Sequence, residues 1–133
     1  MLSQDLNRLI LKLAPKYTVS DYAPSTFEAL QRQSASGLVV WSGASDNTIY
    51  GSNIVNHAFR AWHDSLHLKL QADFTLEGEI RVATEQARIL NADNLGRIIL
   101  AEVQDQALYL AKHGSFPINQ LEFMIQYLSK GVI

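Results

Sequence analysis

The stretch that decides the fold is FRAWHDSLHLKLQADFTLEGEIRVATEQARIL, residues 59–90, which has the apolar periodicity of two amphipathic helices separated by a break. The break is LQADFT, residues 70–75, in which Thr75 is suited to cap the second helix. His63, His67 and Glu79 stand where an ordinary helix pair carries Leu or Lys. These three positions are therefore the first candidates for a functional site.

The first of the two helices carries a polar stripe beside its apolar face. On a helix that turns about 100° per residue, four polar residues fall within roughly 40° of one another. They are Asn56, Arg60, His63 and His67. The two histidines are four residues apart and thus lie one turn apart on the same face. This spacing allows both imidazoles to reach one metal ion.

The second helix carries polar residues on its apolar side. Glu79 and Gln86 share a face with Val82 and Ile89. The opposite face has the composition of a solvated surface, with Arg81, Thr84 and Arg88. A carboxylate on the inward side is costly unless a charge or a metal compensates it.

If the two helices fold back on each other around Asp73, His67 lies six residues before this centre and Glu79 six residues after it. His63, one turn earlier, falls opposite the small residue Ala83. Two imidazoles and one carboxylate with open coordination positions are typical of a catalytic Zn²⁺ or Fe²⁺ site. The sequence therefore predicts His63, His67 and Glu79 as ligands of a divalent ion, Zn²⁺ or Fe²⁺.

Two neighbouring charged residues have more than one interpretation. Asp64 lies roughly 60° to 80° from the histidine stripe, and is either a fourth ligand or general base, or a surface carboxylate. Arg60 either binds an anionic small-molecule substrate or pairs with Glu79 or Asp64. Asn56 and Gln86 either orient the histidines or bond between the helices.

The pattern His63-Asp64-x-x-His67, followed by eleven residues and Glu79, resembles the signature of the coenzyme Q biosynthesis protein four family. The resemblance covers residues 63 to 79. It implies a helical fold in which His63, Asp64, His67 and Glu79 are ligands or line the ion, and it suggests oxidative chemistry on a lipid quinone precursor. We do not carry that substrate over, because the sequence has no obvious apolar segment for a prenyl tail. The surrounding segments GASDNTIYG and NHAFRAWHD also resemble small proteins of phages and bacteria.

The rest of the chain predicts a mainly α fold: one domain over residues 1–133, a bundle of about six helices and a small β hairpin. A first amphipathic helix precedes Pro15, and a capping box, Ser25 with Glu28, opens the second. The hairpin joins Leu38–Trp41 to Thr48–Tyr50 across a turn cluster. The remaining helices are predicted at about 53–70, 75–90, 94–113 and 118–130.

The composition excludes several classes of protein. The 133 residues contain no cysteine, which excludes a disulfide scaffold, a thiolate metal site and a cysteine nucleophile, and fits a cytoplasmic protein. The net charge of -2 gives no electrostatic basis for binding nucleic acid. No apolar run approaches the roughly 18 residues of a membrane span. The amphipathic helices five and six are compatible with a homodimer.

Two functional hypotheses follow. The first is a metal-dependent enzyme, either a hydrolase that uses Zn²⁺ or an Fe²⁺ enzyme of oxidative or decarboxylating type, with Asp64 and Arg60 as catalytic residues. The second is a non-catalytic helical interaction module of phage or mobile-element type, in which the metal is structural or absent.

Overall fold

A computed structural model describes residues 4–43, 50–90 and 93–114. These residues are mainly helical with a small two-stranded sheet, which confirms the predicted class. The order of elements is α1 (Gln4–Leu13), β1 (Tyr17–Ser20), α2 (Phe27–Ser34), β2 (Leu38–Trp41), α3 (Asn53–Leu70), α4 (Leu76–Leu90), α5 (Asp93–Ile99), a π-helical segment (Leu100–Asp105) and α6 (Gln106–His113). The chain divides into two compact units, Met1–Phe74 and Thr75–Ile133. A single domain over residues 1–133 stays a prediction.

The core of the first unit is built around α3, which contacts α1, α2 and both strands. The three helices, β2 and the turn before α3 contribute apolar side chains that are almost completely removed from solvent, and burial of such a side chain contributes about 1.5–3 kcal/mol. They include Leu6, Ile10, Leu30, Val40, Tyr50, Ala58, Phe59, Trp62 and Leu66. The predicted apolar faces of α1 and α3 therefore form one core.

Helix α3 begins and ends at the predicted residues because both of its ends are capped. The Ser52 hydroxyl accepts a hydrogen bond of 3.3 Å from the backbone N–H of Val55. At the other end Gln71 adopts the left-handed conformation, with φ 51° and ψ 41°. The N–H of Ala72 donates to the carbonyl of His67 at 3.0 Å, so the last turn is closed by the pattern of a Schellman cap.

The small sheet is a parallel pair instead of the predicted hairpin. Leu38–Trp41 is a strand as predicted, but its partner is β1, with Tyr17 opposite Leu38 and Ser20 opposite Trp41. The prediction relied on the turn cluster after Trp41. A parallel pair instead needs a crossover between strands, and α2 supplies it. Residues 48 and 49 of the predicted second strand lie outside the described residues, and Tyr50 lies in a turn.

Helix α2 begins one residue later than the predicted capping box. The N-cap is Thr26 instead of Ser25, and its hydroxyl accepts a hydrogen bond of 3.1 Å from the N–H of Ala29. Thr26 has the extended backbone of an N-cap and is followed directly by the helix, so the cap lies one residue after the predicted one.

The second unit begins with α4, whose cap is the predicted one. The Thr75 hydroxyl accepts a hydrogen bond of 3.1 Å from the N–H of Gly78. The predicted inward side is buried at Val82, Ala83, Gln86 and Leu90, and the predicted solvated side is exposed at Arg81, Thr84 and Arg88. On the exposed side Arg88 pairs with Glu85, and this hydrogen bond raises the pKa of Arg88.

The predicted fifth helix is observed as three successive helical segments: α5, the π-helical segment and α6. Within it, Gln106 is buried and donates a hydrogen bond of 2.9 Å to the carboxylate of Glu102. The predicted sixth helix, residues 118–130, lies outside the described residues, so the homodimer proposed for helices five and six stays a prediction. Among the helices that the structure describes, none has the length and apolarity needed to cross a membrane.

Replacement of the α3 cap tests how strongly this helix supports the first unit. We expect Ser52→Ala to lower the free energy of unfolding by about 1 kcal/mol, because the Val55 N–H loses its side-chain acceptor. Chemical denaturation followed by circular dichroism measures the change. Ser36→Ala, at an exposed serine of the same unit, is the control and should stay within about 0.5 kcal/mol of the unsubstituted protein. Equal effects of the two substitutions would contradict the assigned cap.

Candidate metal centre

The two predicted histidine ligands lie together on α3. His63 and His67 are one turn apart, and their rings meet edge to face with centroids 4.7 Å apart. Their Nε2 atoms are 3.1 Å apart. The lone pair of at least one of these two atoms therefore points toward the other, and the predicted convergence of the two imidazoles is confirmed.

The second ring nitrogen of His67 is already engaged. Nδ1 lies 2.7 Å from the carbonyl oxygen of Ala72, and the side chain of His67 is completely buried. A carbonyl accepts hydrogen bonds only, so Nδ1 carries the proton and donates it to this bond. In the neutral ring Nε2 is then unprotonated and presents its lone pair toward His63. This is the form of histidine that binds a metal.

Aromatic rings hold both imidazoles in place. Phe59 stacks on His63 with ring centroids 5.8 Å apart, and Phe74 meets the His67 ring edge to face at 4.9 Å. Phe59 is itself packed against Tyr50 and Trp62, and Phe74 against Phe27. The histidine pair is thus embedded in a row of rings, so its rotamers are fixed by packing.

The three predicted metal ligands, His63, His67 and Glu79, all lie within the described residues. His63 and His67 belong to the first compact unit and Glu79 to the second, and Glu79 as the third ligand stays a prediction. His67 is buried, whereas His63 and Glu79 are half-buried. Glu79 lies in the first turn of α4, where its N–H donates to the carbonyl of Thr75 at 2.9 Å.

The other predicted site residues are also on α3. Asp64 follows His63 and is half-buried, and its role as a fourth ligand or a general base stays a prediction. Arg60 is half-buried and donates a hydrogen bond to the carbonyl of Trp41. Its guanidinium lies over the Trp41 ring, 5.3 Å from the centroid. Arg60 therefore links α3 to β2, and its role toward an anionic substrate stays a prediction.

The predicted orienting residues are buried. Asn56 is 3% exposed and Gln86 is 0% exposed, which agrees with the inward positions deduced from the helical periodicity. The carbonyl of Ala72 was not predicted as a partner of His67, because a backbone acceptor has no signature in the pattern of side chains. The only available signal was the position of Ala72 just past the end of the helix, five residues after His67.

Comparison with protein-family models, with curated proteins and with solved structures finds no match to this chain. The function of the chain is therefore inferred from its residues and their geometry.

The contact between the Arg60 guanidinium and the Trp41 ring can be tested by substitution. Gly43 leaves space for the indole of Trp41, because a Cβ at this position would overlap the ring. In a double-mutant cycle, we expect Arg60→Ala and Trp41→Ala to show a coupling of about 0.5–1 kcal/mol in the free energy of unfolding. The Trp41 carbonyl persists in alanine, so the cycle isolates the ring contact.

In the control cycle, Tyr22→Ala takes the place of Trp41→Ala. Tyr22 is an aromatic residue that is 90% exposed. Arg60→Ala and Tyr22→Ala should be additive. Additivity of the Arg60 and Trp41 substitutions as well would mean that the guanidinium does not bind the indole in solution.

Proposed function

We propose that this chain binds one divalent metal ion through Nε2 of His63, Nε2 of His67 and a carboxylate oxygen of Glu79, and that it is a metal-dependent enzyme. The observation that carries the proposal is the 3.1 Å separation of the two Nε2 atoms, combined with the engagement of His67 Nδ1 by a carbonyl. Together these contacts leave a metal-binding lone pair on His67 directed toward His63.

The separation of the two nitrogens fits a shared ion. Two Zn–N bonds of about 2.0–2.1 Å place their nitrogens about 3.3 Å apart at a tetrahedral angle and about 2.9 Å apart at a right angle. The observed 3.1 Å lies between these values. The separation of the two nitrogens is therefore compatible with a shared ion.

The donor set favours Zn²⁺ or Fe²⁺. Two imidazoles and one carboxylate without sulfur are ligands of catalytic zinc and of non-haem iron alike, and three protein ligands leave positions open for water or substrate. Zn²⁺ at this site would supply an acidified water, and Fe²⁺ would supply oxidative or decarboxylating chemistry. Asp64, adjacent to His63, is suited to accept a proton, and Arg60, one turn earlier, to bind an anionic group.

A second function has an observation in its favour. A separation of 3.1 Å between two ring nitrogens is also the length of an ordinary N–H···N hydrogen bond, with His63 as donor and His67 as acceptor. In that case the pair is a buried polar contact of a helical interaction module, and the metal is structural or absent.

Metal titration tests whether the proposed group binds an ion at all. We expect the chelator-treated protein to take up one Zn²⁺ per chain in isothermal titration calorimetry, or one Fe²⁺ under anaerobic conditions. His63→Ala, His67→Ala and Glu79→Ala should each weaken binding by at least about 100-fold, because a lost ligand costs no less than a lost outer-shell group. No uptake by the unsubstituted protein would leave only the second function.

The chain contains two further histidines that serve as matched controls. His57 contacts the carbonyl of Ser42, and His113 packs against Tyr109. His57→Ala and His113→Ala should each bind Zn²⁺ with the affinity of the unsubstituted protein. If either control weakens binding as much as His67→Ala does, the ion is not held by the proposed group.

Chelation distinguishes an enzymatic ion from a structural one. We expect Zn²⁺ at about 100 times its Kd to raise the free energy of unfolding by about 2.7 kcal/mol, since only the folded chain presents the assembled ligands. In the metal-free protein the helical circular dichroism should persist. Loss of this signal on chelation would assign the ion a structural role, because binding energy would then be folding energy.

A further inference from the structure

We infer that the C-terminal cap of α3 positions His67 for metal binding, with the backbone carbonyl of Ala72 as the group that sets its tautomer and ring direction. The inference rests on the proposed function, because it assigns a positioning role within the same site. The residues that would position the ring, Gln71 and Ala72, are not part of the ligand pattern.

His67 and Ala72 are joined by two hydrogen bonds that run in opposite directions. The His67 ring donates from Nδ1 to the Ala72 carbonyl at 2.7 Å, and the Ala72 N–H donates to the His67 carbonyl at 3.0 Å. Both residues are buried, at 0% and 1% exposure. The ring is therefore connected to the same short segment by its side chain and by its backbone, which restricts rotation about its χ angles.

The carbonyl selects one of the two neutral tautomers. A neutral imidazole has one N–H, and here Nδ1 uses it, so Nε2 keeps its lone pair. Without this acceptor the proton would be free to occupy Nε2, the atom that faces His63. Histidine ligands generally donate their other N–H to a carbonyl or carboxylate, and loss of that partner typically weakens metal binding by about 10–100-fold.

The direction of the Ala72 carbonyl depends on the conformation of the preceding residue. Gln71 is exposed, has φ 51°, and bonds through its N–H to the carbonyls of His67 and Leu68. Glycine adopts this left-handed conformation without steric cost, whereas a β-branched side chain resists it. Substitutions at Gln71 therefore change the cap without removing a ligand.

The test compares two variants of Gln71. In isothermal titration with Zn²⁺, Gln71→Gly should bind within about twofold of the unsubstituted protein, because the left-handed cap is retained. Gln71→Val should bind at least about tenfold more weakly, because the Ala72 carbonyl is displaced from Nδ1. In ¹⁵N NMR spectra of histidine-labelled, metal-free protein at a pH where the rings are neutral, His67 should carry its proton on Nδ1.

The control is Ser52→Ala, which removes the N-cap of α3, fifteen residues before His67, and lowers stability without altering the cap at the other end of the helix. It should leave the Zn²⁺ affinity unchanged, which separates positioning from general destabilisation. Unchanged affinity in Gln71→Val would overturn the role of the cap while the proposed function stands. A proton on Nε2 of His67 in the metal-free protein would also overturn it, even if Gln71→Val fails to fold.

Failure of the unsubstituted protein to take up Zn²⁺ or Fe²⁺ has a different meaning. It would overturn the proposed function together with this inference, whereas the Gln71 variants and the tautomer measurement bear on the cap alone.

Discussion

The complete burial of the His67 ring is the constraint on which the site depends. A buried polar atom without a partner costs about 1–3 kcal/mol, so both ring nitrogens of His67 need one. The carbonyl of Ala72 satisfies Nδ1, and the Nε2 atom faces His63. The end of α3 is arranged around the first of these bonds, since the left-handed Gln71 turns the chain so that Ala72 meets the ring. The capping geometry and the orientation of the candidate ligand are therefore one feature.

Either a hydrogen-bonding proton or a metal ion can join the Nε2 atoms of His63 and His67. In the metal-free protein a proton on His63 Nε2 satisfies the lone pair of His67. An ion would replace that proton, and His63 would then carry its N–H on Nδ1. The aromatic rings of Phe59 and Phe74 hold the imidazoles in the same arrangement for both cases. The two states of the histidine pair therefore differ in what joins the two nitrogens and in the tautomer of His63, while the proton on Nδ1 of His67 is the same in both.

Helical periodicity was sufficient to predict the parts of this structure that are local. The bounds of α3, the cap at Thr75, the buried Gln86 and the adjacency of His63 and His67 all follow from residues within one or two turns of each other. The pairing of the two strands could not be predicted in this way, because Tyr17 and Leu38 lie in segments separated by a whole helix. The turn cluster near Trp41 indicated a local partner instead. The contact of the Ala72 carbonyl with His67 could not be predicted for a different reason. The direction of this carbonyl depends on one left-handed residue, and a glutamine gives no indication of that conformation.

The number of ligands decides which function the proposed site suits. Structural zinc sites are closed by four protein ligands, whereas catalytic sites commonly have three and keep a position for water or substrate. The candidate group has three members, and burial is uneven among them, since His67 is enclosed and His63 and Glu79 are half-buried. An ion held by these three would be anchored at its buried side by His67, the one ligand whose geometry the backbone fixes. If Glu79 completes the group as proposed, three protein ligands leave a coordination position for water or substrate, and this open position is what distinguishes the proposed enzyme from a structural site.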